Sequence, residues 1–152
     1  MLKREYEGQN CSIARTLELI GERWTLLILR DVFLGVRRFE DFQASLGVAR
    51  NVLSSRLGRL VDEGILHRRQ YQERPARFEY RLTEKGIDLW PVLVSLVKWG
   101  DKYAAEDGPP RVLEHRGCGG QVNEHLSCDR CGSPLTARDV VTKPGPGVAA
   151  AA

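Results

Sequence analysis

Residues 37–64, RRFEDFQASLGVARNVLSSRLGRLVDEG, contain two short amphipathic segments separated by a glycine. In the first segment, 37–46, phenylalanine and leucine side chains recur on one helical face, and Gly47 closes the segment. The second segment, 49–63, continues without a break until Gly64. A helix, a short turn that contains glycine and a second helix make up a helix-turn-helix. We therefore predict this motif at the centre of the fold.

The second helix, about 49–63, is predicted to have one apolar and one polar face. Leu53, Leu57 and Leu60 fall together on a helical wheel and are expected to face the core. The opposite face carries short hydrogen-bonding side chains with arginines beside them, which suits insertion into a DNA major groove. The candidate DNA-binding residues of this region are Arg38, Arg50, Asn51, Ser54, Ser55, Arg56 and Arg59. The alternative is an ordinary solvated face of an amphipathic helix.

A charged hairpin is predicted directly after this helix. Two short runs, 66–70 and 78–82, flank a turn-like segment and indicate a two-stranded wing over about 66–82. Basic wings commonly grip the DNA backbone or minor groove, and the candidates here are Arg68, Arg74 and Arg77. A solvated hairpin edge is the alternative. Residues 37–81 hold ten Lys and Arg against six Asp and Glu, which favours an anionic partner.

Apolar helices are predicted on both sides of this motif. Residues 12–20 and 24–33 have helical spacing of apolar side chains, with Gly21 between them. A long helix from 83 to about 103 is apolar on most sides, so it needs more than one neighbour, and Pro91 is expected to bend it. The predicted fold class is mainly α with a small β-wing (α+β), a winged helix-turn-helix over residues 10–106.

The chain offers no signal for secretion or membrane insertion. Its N-terminus, MLKREYEGQN, is charged, and no stretch approaches the roughly 20 apolar residues of a membrane span. We expect a cytoplasmic protein with no membrane partner. Its four cysteines are then expected to be reduced, metal-bound or redox-active rather than a disulfide framework.

Three of the cysteines form a compact pattern in a small module predicted over 111–141. His115-Arg-Gly-Cys118 and Cys128-Asp-Arg-Cys131 each place two potential ligands around a two-residue spacer, with glycine after the second ligand. This spacing predicts a tetrahedral site, in which His115, Cys118, Cys128 and Cys131 hold a structural zinc ion. His125 is the alternative fourth ligand. A metal-free hairpin, a disulfide and a catalytic dithiol are the competing interpretations, and residues 142–152 are predicted to be a disordered tail.

Several motifs of the winged-helix region are similar to those of a known protein family. Residues 10 to about 103 resemble the HxlR family of bacterial transcription regulators, in family order and spacing. The matching stretches are Cys11-Ser-Ile-Ala-Arg-Thr-Leu, Gly21-Glu-Arg-Trp-Thr-Leu-Leu-Ile-Leu-Arg, Arg38-Phe-Glu-Asp-Phe, Asn51-Val-Leu-Ser-Ser-Arg-Leu, Tyr80-Arg-Leu-Thr-Glu-Lys-Gly and Pro91-Val-Leu. The resemblance implies a homodimer that joins through its terminal helices and binds a pseudo-palindromic operator in double-stranded DNA. It also implies that an oxidant or a small molecule can be the effector.

The family position before the first helix is a cysteine, here Cys11, which senses oxidants or electrophiles in some members. A thiol at a helix N-terminus feels the positive end of the helix dipole, which stabilises the thiolate. A packed or capping cysteine without redox function is the alternative. An enzyme is not expected, because no phosphate loop, carboxylate pair or cysteine–histidine pair near Cys11 is visible. A protein-interaction module built on the same winged helix is the remaining rival.

Overall fold

The computed structural model describes residues 6–151 and divides the chain into two compact units. The first unit is Met1–Ile87 and the second is Asp88–Ala152. In the first unit the helices are α1 (Ser12–Ile20), α2 (Thr25–Phe33), α3 (Phe39–Leu46), α4 (Arg50–Asp62) and α5 (Glu84–Ile87), and the strands are β1 (Leu66–Gln72) and β2 (Arg77–Leu82). The second unit contains α6 (Trp90–Tyr103), β3 (Arg111–His115), β4 (Val140–Pro144) and two 3-10 segments, Ala137–Asp139 and Pro146–Ala151. The α+β fold class is confirmed.

The core of the first unit forms where α2, α3 and α4 bury their apolar faces. Ile28, Leu29, Phe42, Leu53 and Leu57 are each 0% exposed. These side chains recur every three or four residues along their helices, so each helix turns one stripe inward. The helix-turn-helix is therefore held by apolar packing, which leaves the opposite face of α4 in solvent.

The wing is an antiparallel pair of strands, β1 and β2, with Leu66 opposite Leu82 and Arg68 opposite Tyr80. The backbone N–H of Tyr80 donates to the carbonyl of Arg37 at 2.7 Å, just before α3 begins. This bond attaches the wing to the start of the helix-turn-helix.

The predicted long helix over 83–103 is wrong in one respect, because the structure has two helices there. α5 ends at Ile87, and α6 begins at Trp90 with Pro91 in its first turn. Proline lacks a backbone N–H and is favoured where no intrahelical donor is needed. Pro91 consequently starts a helix instead of bending one.

The C-terminal module extends further than predicted. Residues 142–144 belong to β4, which pairs antiparallel with β3, and the described part of the predicted disordered tail continues as the 3-10 segment Pro146–Ala151. Gly145 and Gly147 donate backbone hydrogen bonds to Pro110 and Pro109. A Cβ at either glycine would collide with a carbonyl oxygen, so only glycine permits this close approach. The tail was predicted to be disordered from its low-complexity composition, which does not reveal these contacts.

The division between the two units also falls earlier than the boundary predicted between 106 and 111. α6 belongs with the C-terminal module in the second unit. Val97 of α6 and Val112 and Leu113 of β3 line one groove there. Among residues 6–151, no helix is both long and apolar enough to cross a membrane.

Candidate nucleic-acid interface and metal centre

The solvent face of α4 carries half of the ten residues predicted to bind DNA. Arg50, Asn51, Ser54, Ser55 and Arg59 are exposed on this helix. Their side chains are short or flexible hydrogen-bonding groups, so the face is smooth enough to approach a base-pair edge. α4 also has no acidic residue in its first turn. Its N-terminal half therefore combines polar contacts with the positive end of the helix dipole.

Three arginines, one at the start of α4 and two outside it, lie over aromatic rings. The guanidinium carbons of Arg38 and Arg68 are 4.1 Å and 4.2 Å from the ring centroids of Tyr71 and Phe78. The guanidinium of Arg50 lies 4.7 Å from the ring centroid of Phe39. Stacking orients the planar guanidinium while its N–H donors point outward along the edge of the plane. The rings thus hold these arginines in an orientation suited to binding an oxyanion.

The stacked arginines surround an open cavity of about 670 Å³ between α3 and the wing. Arg77 also lines this cavity, as do Glu40 and Asp41 from the first turn of α3. Four guanidinium groups therefore face two carboxylates, and the cavity keeps an excess of positive charge. At the outer end of the wing Arg74 is exposed as well.

The aromatic partners were missed in the sequence analysis. Arg68 pairs across the strands with Tyr80, so Phe78 is its diagonal neighbour, two residues along β2. Diagonal neighbours on one face of an antiparallel pair are within reach of long and aromatic side chains. Strand register could have revealed this one contact. The Tyr71–Arg38 and Phe39–Arg50 contacts required the tertiary structure.

Arg56 and Arg59 of α4 make contacts within the chain. Arg56 Nη2 lies 2.8 Å from Glu22 Oε2, and Arg56 Nε donates to the carbonyl of Arg23 at 3.1 Å. Arg59 Nη2 donates to the carbonyl of Glu18 at 3.4 Å, and its Nε lies 3.1 Å from a Glu63 carboxylate oxygen. The two residues differ in exposure, because the Arg56 side chain is 23% exposed and that of Arg59 is 54% exposed.

In the second unit, His115, Cys118, Cys128 and Cys131 come together. Their four ligand atoms all lie within 4.8 Å of one another. Cys118 Sγ is 3.5 Å from Cys128 Sγ, and Cys131 Sγ is 3.5 Å from His115 Nδ1. Zinc–sulfur bonds of about 2.3 Å in a tetrahedron place the ligand atoms roughly 3.8 Å apart. The donor set and its spacing therefore fit a tetrahedral metal ion.

Backbone N–H groups point at the three sulfur atoms of this cluster. Gly120 donates to the sulfur of Cys118, Cys131 to that of Cys128, and Ser133 to that of Cys131. Such donors stabilise a thiolate, which is the form that binds a metal. Hydrogen bonds from the Ser133 side chain and backbone lower the pKa of Cys131 to about 6. The hydrogen bond with Cys128 raises the pKa of His115.

Tight packing brings the two ligand pairs, His115 with Cys118 and Cys128 with Cys131, together. A Cβ on Gly120 would collide with Cys128 Sγ, so glycine is required at this position. Val122, Leu135 and Val140, which are close to the ligand residues in sequence, are buried apolar residues of this module. His125, the alternative ligand, is outside the cluster, and its side chain is 82% exposed beside Glu124. The structure thus brings His115 to the cysteines and not His125.

The comparisons with known proteins decide the family. A family model described as HxlR-like helix-turn-helix matches residues 19–108, which include α2 to α6 and the wing. The chain belongs to the HxlR-like helix-turn-helix family. An uncharacterized HTH-type transcriptional regulator of Mycobacterium tuberculosis, Rv3095, is 50% identical over 147 residues, covering 96% of this chain and 92% of Rv3095.

Solved structures of the same kind support the assignment. The crystal structure of PA1607 matches with a TM-score of 0.69 and 40% identity, covering 90% of this chain and 96% of PA1607. The redox regulator HypR in its reduced form matches with a TM-score of 0.58 and 30% identity, covering 60% of this chain and 92% of HypR. This HxlR-like protein is therefore a winged-helix transcriptional regulator of the helix-turn-helix type, and its relatives carry regulator names instead of enzyme names.

The C-terminal module of this HxlR-like regulator lies within its longest matches. At 96% and 90% of the chain, the Rv3095 and PA1607 matches extend over the metal-ligand cluster, whereas the HypR match covers 60%. The zinc-ribbon-like extension is thus carried on a standard HxlR-like helix-turn-helix region.

Cys11 directly precedes α1 in this HxlR-like regulator and is exposed. It occupies the N-cap position but makes no side-chain capping bond. Arg15, one turn further on, donates to the side-chain oxygen of Asn10 at 2.7 Å. The thiol is therefore accessible to a reagent in solution.

Proposed function

We propose that this protein is a sequence-specific DNA-binding transcription regulator that binds a pseudo-palindromic operator as a homodimer. α4 enters the major groove, and the wing contacts the backbone or the minor groove. The observation that carries the proposal is the exposed polar face of α4 beside the arginine-lined cavity. A DNA partner also places its action in the cytoplasm of a bacterium.

Base recognition is assigned to the N-terminal half of α4. Asn51 has the donor and acceptor groups that pair with an adenine edge. Ser54 and Ser55 are exposed next to it and are short enough to let the helix come close. Gly58, on the same helix, has no atom within 4 Å of the position of a Cβ. This surface leaves room for the floor of a major groove.

Phosphate binding is assigned to the stacked arginines and the wing. Arg38, Arg50 and Arg68 present guanidinium edges to the cavity, and Arg77 lines the same cavity. Arginine binds phosphate through paired N–H donors, and such contacts fix the register of a protein on DNA. Arg74 extends this basic surface along the wing. Exposed Arg59 completes the set on α4.

Dimerisation is supported by two exposed apolar faces. On α1, Ile13 and Leu17 are 70% and 39% exposed, and on α6, Leu96, Trp99 and Tyr103 are 50%, 65% and 64% exposed. Contiguous exposed apolar side chains commonly mark a protein interface. We assign both faces to a second copy of this chain. Two recognition helices then meet half-sites about 10 or 20 base pairs apart.

The test is binding of the protein to DNA from its own promoter region as salt concentration is varied. The slope of log affinity against log salt is negative, and each lost phosphate contact reduces its magnitude by about one. Arg50→Gln and Arg68→Gln should therefore weaken binding and flatten the slope. Arg111→Gln, which removes an exposed arginine from β3, is the matched control. Unchanged affinity in the first two variants would favour the protein-interaction module instead.

We also propose that the second unit holds one structural zinc ion through His115 Nδ1 and the sulfurs of Cys118, Cys128 and Cys131. Three thiolates and an imidazole complete a tetrahedron and leave no open position for chemistry. Metal analysis of freshly purified protein should give about one zinc per chain. Cys128→Ser combined with Cys131→Ser should remove it, while Cys11→Ser should not. A metal-free protein with a Cys128–Cys131 disulfide would contradict the site.

A thiol switch at Cys11 is the second candidate function. It is favoured by the exposed position of Cys11 before α1 and by the similarity to the redox regulator HypR. Under this hypothesis peroxide is the effector, and it changes operator affinity in the wild type but not in Cys11→Ser. An equal response of both proteins would exclude Cys11, leaving a small-molecule effector as the alternative input.

A further inference from the structure

Arg56 differs from the other arginines predicted to bind DNA because it is half-buried, whereas the others are exposed. Its Nη2 lies 2.8 Å from Glu22 Oε2, and its Nε donates to the carbonyl of Arg23. Only 23% of the side chain is exposed, and it does not line the arginine-lined cavity. The carboxylate and the carbonyl occupy the Nε and Nη2 donors on one edge of the Arg56 guanidinium, and the low exposure of the side chain leaves it less open to a phosphate than Arg59, whose side chain is 54% exposed.

The contacts of Arg56 reach the turn between α1 and α2, which has an unusual backbone. Trp24 has a φ of 81°, a left-handed conformation that L-residues seldom adopt. The Arg23 carbonyl belongs to the peptide group that precedes the Trp24 Cα, so its hydrogen bond with Arg56 fixes the orientation of that peptide. A conformation of this kind persists only where the surroundings enforce it.

A second contact joins the same two regions. Arg59 Nη2 donates to the carbonyl of Glu18, in the last turns of α1. α4 is therefore fastened by side chains at two successive turns to α1 and to the residues that follow it. Cys11 lies at the other end of α1, which is nine residues long.

We propose that Arg56 is a positioning residue, which couples the orientation of the recognition helix to α1 and the α1–α2 turn without touching DNA. The inference rests on the proposed DNA-binding function. It makes α1 the route by which a change at the N-terminal end of the chain reaches the DNA surface. It also removes Arg56 from the set of DNA-binding residues predicted from the sequence.

Glu22→Gln gives the sharpest test, because the two roles of Arg56 predict opposite signs. If Arg56 bound phosphate, loss of the nearby carboxylate would free its guanidinium and remove a repulsive charge, so binding would stay equal or tighten. If Arg56 is a positioning residue, Glu22→Gln weakens operator binding, by about 2- to 30-fold. Unchanged or tighter binding by Glu22→Gln overturns the proposal.

Arg56→Lys supplies a second readout, since it keeps the charge but loses the paired donors. We expect weaker binding with an unchanged slope of log affinity against log salt, and coupling with Glu22→Gln in a double-mutant cycle. Arg50→Gln is the control that flattens the slope. Circular dichroism of each variant verifies folding. Wild-type protein that binds no promoter DNA refutes the proposed function, whereas intact wild-type binding with additive effects of the two substitutions refutes only the role of Arg56.

Discussion

At the scale of single residues, what a side chain can bind depends on which of its donors are already used. Arg56 uses its donors on Glu22 and Arg23, whereas Arg38 and Arg68 lie on aromatic rings with the guanidinium edge pointing outward. All three have the same formal charge. The geometry of the neighbours assigns one to positioning and two to phosphate binding.

Gly58 provides a prediction at this scale. Glycine inside a helix costs about 0.5–1 kcal/mol relative to alanine, and a Cβ at Gly58 would meet nothing in the free protein. Gly58→Ala should therefore raise the free energy of unfolding by roughly that amount while weakening operator binding, because the methyl group occupies space that the groove needs. Chemical denaturation and fluorescence anisotropy measure the two effects.

Gly100→Ala in α6 is the matched control for this substitution. Gly100 is also helical and has an equally open Cβ position. It should give a similar gain in stability, and it controls for the folding effect alone because Gly100 lies beside Leu96 and Tyr103 on α6. Operator binding by Gly58→Ala at the wild-type level would show that this face of α4 does not lie against DNA.

At the scale of elements, the arginine-lined cavity and the metal-ligand cluster are each built from more than one segment of the chain. The wing and α3 together create the cavity that holds the stacked arginines, and β2 is attached to the start of α3 by the Tyr80–Arg37 backbone bond. In the second unit, β3 ends at His115, a proposed metal ligand, and β4 covers the side of β3 that would otherwise be an open edge. Both arrangements require segments that are distant in sequence.

The wing should lose DNA affinity when an aromatic ring is removed and every charge is kept. Phe78→Leu takes away the ring beneath Arg68, which is worth about 0.5–1 kcal/mol at an exposed site. We expect operator binding to weaken by roughly two- to fivefold. Titration of labelled operator measures it, and Phe78→Tyr, which keeps a ring, serves as control. Equal affinity of the leucine and tyrosine variants would disprove the role of the ring.

The C-terminal module should depend on its metal. A module of this size has a small core, so binding of zinc supplies much of its folding free energy. A strong chelator is expected to lower the protection of amides in β3 and β4 against hydrogen exchange, and acidification should also lower their protection factors because protons compete for the thiolates. Cys11→Ser should respond like the wild type. Protection factors in β3 and β4 that are unchanged by both treatments would contradict a structural metal.

At the scale of the whole molecule, the exposed apolar faces of α1 and α6 are the surfaces assigned to the proposed homodimer. Trp99 and Tyr103 lie with ring centroids 5.2 Å apart on the exposed face of α6. Large aromatic side chains of this kind are enriched at protein interfaces. Cooperative binding to two half-sites requires that this surface pair with its copy.

Trp99→Glu should convert the dimer to a monomer, because a buried charge at the interface has no partner. The mass measured by light scattering should fall by about half, and operator affinity should fall with it. Val148→Glu introduces the same charge at another exposed apolar residue and should leave the mass unchanged. A Trp99→Glu protein that keeps the wild-type mass would place the dimer interface elsewhere.

The sequence by itself determined the helix-turn-helix and the wing, and it indicated the three cysteines of the proposed metal site. Apolar spacing and terminal glycines are local properties, so α1 was predicted residue for residue and α4 to within a residue at each end. The Cys-x-x-Cys spacing likewise depends only on how tightly a short loop turns. Membership of the HxlR-like family follows from the same local motifs.

Only the tertiary structure decided which arginines are occupied, which histidine joins the cysteines and whether the tail is ordered. Each of these depends on partners 12 or more residues away, such as Cys118 for Arg130, Glu22 for Arg56 and Cys131 for His115. Composition predicted disorder after residue 141, but pairing with β3 supplies hydrogen bonds that composition cannot reveal. Local pattern fixes an element, whereas the availability of its side chains is set by what packs against it.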